Sequence, residues 1–357
     1  MTEIRSRILR HAGGKSFDLA GPPRFARSMQ ISRVRPRGDE AAVHAVHSIQ
    51  VAARDADRPE MPVATLAHTA AWVAAGTTSE PHIVWLAADD AGRPAGFALL
   101  DLPYTDNRHV ALLDLVVRPD ARRQGIGRAL LGHAVEYARA AGRTLLVGEA
   151  VEDSAGAGFA KVAGAECKAL ERCSYQTLDD VDPASIAAMR AEAERAATGY
   201  ELVRWIDVAP PEYLPDLAEL NNEMRDAPVD DLQIEDEIWD VERVRIFDQA
   251  VMARGRRSYF LAARHVESGR LAGYSQLTVD GTDWANQGNT VVMRAHRGHR
   301  LGLWLKAAMV EWVRVAEPDV RRVLTWNAKS NQHMLAVNDR LGYVAYEFVG
   351  EWELPLT

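Results

Sequence analysis

Apolar positions along the chain follow two periods. Short apolar runs bounded by Gly, Pro or Asp mark strands, and apolar residues three and four apart mark helices. Residues 29–34 read as a first strand. Asp39 is placed to cap a helix over 40–53, with Ala42, Val43, Val46 and Ile49 on one face. Residues 66–75 fit a further helix. Ile83–Ala88 and 94–102 pair as a hairpin about the turn at 89–92. Val110–Val117, apolar and closed by Arg118-Pro119, reads as a buried strand. A helix carrying Ala129, Leu130, Ala134, Val135 and Ala138 follows and ends at Gly142. Strand 145–150, a short helix 158–162 and a last strand 169–178 complete the series. The order predicts an α/β fold, a mixed sheet flanked by helices.

After a helix over 182–197 the plan returns. Strand 200–205, helices 211–222 and Val241–Ala253, and Phe260-Leu261-Ala262-Ala263 match the first half in character. Gly269-Arg270-Leu271-Ala272-Gly273-Tyr274 mirrors Gly92-Arg93-Pro94-Ala95-Gly96-Phe97, 177 residues on. Arg297-Gly298-His299-Arg300-Leu301-Gly302 sits 175 residues after Arg122-Arg123-Gln124-Gly125-Ile126-Gly127. Helix 303–315, strand 322–326, helix 333–341 and strand 345–352 close the chain. Matching landmarks at a near-constant offset mark an internal duplication. The expected organisation is an arm (1–28), a first unit (29–180), a helical connector (181–199) and a second unit (200–357).

The loop after Val110–Val117 carries the chemistry. A strand entering a Gly-containing turn that opens a helix gathers free N–H groups and the positive end of the helix dipole, a place for an anion. Neither the three-glycine dinucleotide fingerprint nor G-K-[ST] is present. The pattern that fits is [RQ]-x-x-G-x-[GA] after an L-x-V-x-P strand end, which resembles the acyl-coenzyme A loop of the GCN5-related N-acetyltransferases. The resemblance implies two tandem acyl-CoA N-acyltransferase domains, similar in plan to mycothiol-synthase-like enzymes. It implies a cofactor lying in a V between two parallel strands. Leu115, Val116 and Val117 would then meet the pantetheine arm, and Arg122, Arg123, Gln124, Gly125, Ile126, Gly127 and Arg128 would wrap the pyrophosphate. In the second copy the corresponding positions are Thr290, Val291 and Val292, then Arg297, Gly298, His299, Arg300, Leu301 and Gly302. There Arg300 replaces the first glycine, so its side chain either crowds the phosphate or binds it.

The family's later motif, N-x-x-A-x-x-x-Y-x-x-x-G-F, reads Asn331, Met334, Asn338, Gly342, Tyr343. Asn331 fits a helix cap or a pantetheine contact. Asn338 replaces the tyrosine that protonates the thiolate in many relatives; Asn is no acid at neutral pH. In the first copy Ala160 stands there. The usual strand glutamate is replaced by Ala111 and Asn286. Asp114 and Glu149 are therefore the candidate bases, and each also fits a polar residue outside any pocket. Asn327 is a candidate for positioning substrate.

The chain has 357 residues, 47% hydrophobic and 26% charged, with a formal net charge of −8. That balance argues against a phosphate-backbone binder of nucleic acid. Between Asp207 and Glu242 stand thirteen carboxylates and one basic residue, Arg225. Glu235, Asp236 and Trp239 in this stretch fit an acidic rim that draws in a cationic amine, or a solvated connector anchored by the tryptophan. Cys167 and Cys173 read as free thiols, and no metal site is expected. No secretory signal or membrane-length apolar run is present, so a cytoplasmic protein without nucleic-acid or membrane partners is expected. Oligomeric state is not legible. The activity implied is transfer of an acetyl group from acetyl-CoA to a small-molecule primary amine. The alternative is a non-catalytic acyl-CoA sensor, which the missing tyrosines and glutamates favour.

Overall fold

The computed structural model describes residues 29–34, 38–74, 82–226, 228 and 230–356. The arm read over 1–28 lies outside them. In chain order the elements are β1 (Gln30–Val34), α1 (Glu40–Asp57), α2 (Leu66–Ala74), β2 (Ile83–Ala88), β3 (Pro94–Asp101), β4 (Val110–Val117), α3 (Ile126–Ala140), β5 (Leu145–Val151), α4 (Ala155–Ala163) and β6 (Glu166–Thr177). They continue as α5 (Pro183–Ala196), β7 (Tyr200–Ile206), α6 (Leu214–Glu223), α7 (Val241–Ala253), β8 (Arg257–His265), β9 (Leu271–Val279), β10 (Trp284–Val292), α8 (Leu301–Ala316), β11 (Arg322–Ala328), α9 (Gln332–Arg340) and β12 (Val344–Pro355).

Two compact units result. The described residues of the N-terminal unit are 29–169, 231–235 and 349–356; those of the C-terminal unit are 170–230 and 236–348. The strand order is β1-β2-β3-β4-β5-β12 in the N-terminal unit and β6-β11-β10-β9-β8-β7 in the C-terminal unit. Each takes its closing strand from the other half of the sequence. Val349–Pro355 of β12 pair antiparallel with β5, and Glu171–Thr177 of β6 pair antiparallel with β11.

In the N-terminal unit Val46, Ile49, Trp72 and Val73 of α1 and α2 cover one face, against Phe97 and Leu99 of β3. On the other face α3 buries Leu130, Ala134 and Ala138 against Ala98, Leu100 and Ala111. A fully buried leucine such as Leu130 contributes about 2 kcal/mol. Gly96 lets the strands close up: a Cβ there would meet the Val116 carbonyl at 3.0 Å. The equivalent Gly273 would meet the Val291 carbonyl at 2.7 Å. In the C-terminal unit α8 is apolar nearly all round and sits between the sheet and α5. Helix α5 buries Ile186 and Ala193 in that unit's core. No described helix is long and apolar enough to cross a membrane.

Candidate active site

Strands β4 and β5 pair in parallel only from Val110–Leu145 to Leu113–Gly148, and beyond that point they part. Gly148 sits at the fork, where a Cβ would meet the Leu113 carbonyl at 3.1 Å. Strands β10 and β11 likewise pair only from Trp284–Arg322 to Asn286–Leu324. Each unit therefore contains a V. In β10 the register shifts between Gln287 and Thr290, a bulge around Gly288-Asn289; β4 pairs with β3 without interruption.

The pairing shows which backbone groups line each V. Gly96 pairs with Val117, and Arg118 N–H donates to the Ala95 carbonyl at 2.9 Å. That makes Gly96–Val117 a pair without mutual hydrogen bonds, so the Val117 and Leu115 amides point away from β3 into the V. The Val116 backbone groups instead face β3. In the second copy Met293 N–H donates to the Ala272 carbonyl at 2.9 Å, placing Thr290 and Val292 toward the V and Val291 toward β9.

The two anion loops share one backbone shape. Arg123 and Gly125 take φ of 63° and 87°; Gly298 and Arg300, 175 residues on, take 92° and 55°. Glycine thus relieves the left-handed strain at the second position in one loop and at the first in the other. The α3 ladder starts with Ala129 N–H donating to Gly125 O at 3.1 Å, and the α8 ladder with Trp304 N–H donating to Arg300 O at 3.0 Å. Among the described residues no acceptor lies on the amides of 123–128 or 298–303. Gly302 and Gly298 face open space, while a Cβ on Gly127 would touch Phe159 and Val117 at ordinary distances of 3.5–3.6 Å. These cradles fit a diphosphate.

The side chains behave differently from expectation. Arg122 is drawn back: its Nε donates to Val117 O at 3.1 Å and its Nη1 to Asp57 Oδ1 at 2.8 Å. Arg297 Nε donates to Val292 O at 3.3 Å and its Nη2 to Asp226 Oδ2 at 3.0 Å. Arg300 pairs with Glu192, which also receives Arg340 at 3.0 Å, so its guanidinium is held on α5. Gln124 donates to Asp120 O at 3.3 Å. Arg123 and Arg128 are exposed. Asn331 caps α9 by accepting from Met334 N–H at 3.2 Å, the ordinary role.

Of the two candidate bases, Asp114 is half-buried on the α1/α2 face of β4, and Glu149 is exposed on the same face of β5 across the fork. Burial pushes the Asp114 carboxyl up to about 6, with His82 opposing and Asp101 reinforcing the shift. His82 Nδ1 contacts the Trp72 carbonyl at 2.7 Å, and its Nε2 lies 3.6 Å from Asp101. The sequence reading missed this pair. The hairpin register, which places Ile83 opposite Leu100 and so residue 82 opposite 101, was the signal for it.

In the C-terminal unit Asn338 is fully buried, and its Nδ2 donates to Asn327 Oδ1 at 2.6 Å. That bond satisfies Asn327 Oδ1 inside the protein, while Asn338 Oδ1 is buried with no hydrogen-bond partner among the described residues. Asn338→Ala should lower stability by about 1–3 kcal/mol by stranding Asn327 Oδ1. Thermal unfolding would show the loss, and CoA affinity of the N-terminal loop should not change.

The acidic stretch is also not where it was expected. Leu232 and Ile234 bury against Val110, Leu145, Val147 and Ala169 of the N-terminal unit. Glu235 Oε2 accepts from Asn107 N–H at 2.9 Å, at the N-terminal end of β4, opposite the opening of the V. Asp236 is exposed. Trp239 anchors its segment: its backbone is held by Asn222 at 2.9 Å on both sides, Nε1 donates to Glu237 at 3.0 Å, and Arg243 lies 4.8 Å over its ring. A further cluster gathers at the second loop. Tyr200 Oη contacts His296 Nδ1 at 2.8 Å, with His265 and His299 rings 5.3 Å from Tyr200. Burial, with His265 and His299 nearby, holds the His296 imidazole below its ordinary value.

A forked parallel strand pair beside a free-amide loop at a helix N-terminus defines an acyl-coenzyme A-binding fold. The model of the Acetyltransferase (GNAT) family matches residues 44–164. A tandem GNAT protein from the clavulanic acid biosynthesis pathway, in a structure without acetyl-CoA, is 30% identical, with 92% of this chain and 99% of that one covered at a TM-score of 0.77. A GCN5-related N-acetyltransferase from Sphaerobacter thermophilus shares the fold at 16% identity, with 92% and 96% covered and a TM-score of 0.66. No functionally curated protein matches. The chain belongs to the GNAT acetyltransferase family and consists of two tandem GNAT domains. Acetyl transfer is thus the general class of its chemistry.

Proposed function

We propose that the N-terminal unit transfers an acetyl group from acetyl-CoA to a primary amine of a small molecule by direct attack. The observation that carries this reading is Asp114: a half-buried carboxyl poised near 6, on the face of β4 beside the fork. The amides of 123–128 would hold the diphosphate, and Leu115 and Val117 would meet the pantetheine. Asp114 takes the proton of a substrate ammonium, so a cationic amine is the preferred acceptor. The nitrogen lone pair then forms the C–N bond at the thioester carbonyl, with Val117 N–H facing the oxyanion. The C–S bond breaks, the nitrogen releases its second proton to water, and the thiolate takes one from water, because Ala160 stands where relatives carry a tyrosine. Glu149, exposed on the same face, would guide the cation.

The C-terminal unit is read as a second acyl-CoA holder. Its open cradle at 298–303 supports binding, and asparagines at 327 and 338, joined by one hydrogen bond, leave it without a base or acid at the positions considered. Thiol release from acetyl-CoA against a panel of primary amines tests the catalytic reading, and calorimetry with CoA gives the number of sites. Release that depends on Asp114 supports it. Binding without release from any amine supports the sensor instead.

A further inference from the structure

We infer that Arg122 and Arg297 are struts rather than phosphate ligands, each locking the end of its unit's sheet-covering helix segment to the carbonyl from which the anion loop departs. The inference rests on the reading of these loops as acyl-CoA sites and reassigns the residue that opens the motif. Both guanidinium groups make the same two contacts. Nε donates to the last carbonyl of the strand, Val117 O at 3.1 Å and Val292 O at 3.3 Å. The terminal nitrogens grip a carboxylate. For Arg122 it is Asp57, the last residue of α1, held through both oxygens. For Arg297 it is Asp226 at 3.0 Å, just beyond α6, with Glu223 at 3.7 Å.

In both units the carboxylate stands at the end of the helix that follows the first strand. Arginine and partner are 65 residues apart in the first unit and 71 in the second, although the loops themselves repeat at 175. The same two contacts thus recur in both copies although the segment between carboxylate and arginine differs in length. A planar guanidinium suits the task, since one side can hold a carbonyl while the other grips a carboxylate as a fork. Reaching into the loop would require Arg122 to release Asp57 and Val117 O together. Instead it fixes the peptide whose N–H neighbour, Val117, faces the V, and ties that peptide to α1. The helix covering the acceptor face and the loop holding the cofactor thus move as one, and Arg122 is a positioning residue.

Asp57→Asn decides the matter, because Asp57 belongs to the partner side and not to the loop. As a strut, Asp57→Asn and Arg122→Gln should each weaken CoA binding by about tenfold, as misplaced binding groups do, and the double variant should be no worse than either alone. Exchanging the charges (Asp57→Arg with Arg122→Asp) should restore part of the loss. If Arg122→Gln weakens CoA binding while Asp57→Asn leaves it unchanged or tightens it, Arg122 is a phosphate ligand and the inference falls. Amide hydrogen exchange in the CoA-free protein gives an independent readout: both variants should expose residues 118–128 and the last turn of α1 to faster exchange. That readout separates failure of the strut from failure of the acyl-CoA reading, and unchanged exchange overturns the strut. Arg297→Gln and Asp226→Asn repeat the test if the first pair fails to fold.

Discussion

Gly125→Val should weaken acetyl-CoA binding at the N-terminal loop by roughly 100-fold or more. Two costs combine. Gly125 sits at φ 87°, where a side-chain-bearing residue costs roughly 1–2 kcal/mol and a β-branched one more. A branched Cβ also stands where the diphosphate approaches amides whose charged hydrogen bonds are worth about 1.5–3 kcal/mol each. Gly127→Ala is the contrast. Its Cβ would touch Phe159 and Val117 only at 3.5 Å or more, it lies in the first turn of α3, and the motif itself admits alanine. Binding should stay within about threefold, with stability level or up by some tenths of a kcal/mol. Isothermal titration with CoA and thermal melts of both variants separate the two. Equal loss in both would mean that general damage to the helix start, not access to the amides, governs binding. Arg300 takes the same backbone basin in the second loop at φ 55°, so strain alone does not unfold such a turn.

Asp114→Asn is expected to lower kcat for acetyl transfer by about 100-fold while raising stability at neutral pH. The wild-type rate should climb through an apparent pKa of about 6, where Asp114 becomes the carboxylate, and that limb should vanish in the variant. The stability effect has the opposite sign. The carboxyl's ordinary value is 3.8 and burial lifts it to about 6, so across that window the native protein holds a proton that the unfolded chain has lost. Stability is therefore lost as pH rises from about 4 to 6 and stays lost above it. An amide of the same shape avoids this, for a gain on the order of 2 kcal/mol at pH 7. Chemical denaturation at pH 4 and pH 7 checks the point, since the gain should appear only at the higher pH. An unchanged rate profile would remove Asp114 from the reaction.

Much of the fold was legible because local signals agreed. Val110–Val117 and Ile83–Ala88 were bounded to the residue by runs of β-branched and apolar side chains closed by turn residues. Asp39 announced its helix through capping chemistry. The site was legible only as far as backbone shape follows from glycine. The loop of 122–128 was visible, but the destinations of its arginines were not. Arg122 reaches a partner 65 residues away, and no spacing in the chain signals that carboxylate. Trp239 showed that it was out of place among charges without showing whether it lined a pocket or anchored a loop.

The sequence by itself determined the duplicated α/β plan, the anion loops and the absence of the usual acid and base, because periodicity, turn chemistry and residue identity are local properties. Only the tertiary structure decided that each unit takes a strand from the other half of the sequence, that buried Asn338 donates to Asn327, and that Glu235 pins the start of β4. These outcomes depend on which distant groups meet when apolar surface is buried. Pairing partners are then chosen by register and by the need to satisfy every buried polar atom, and neither is written at any one position in the chain.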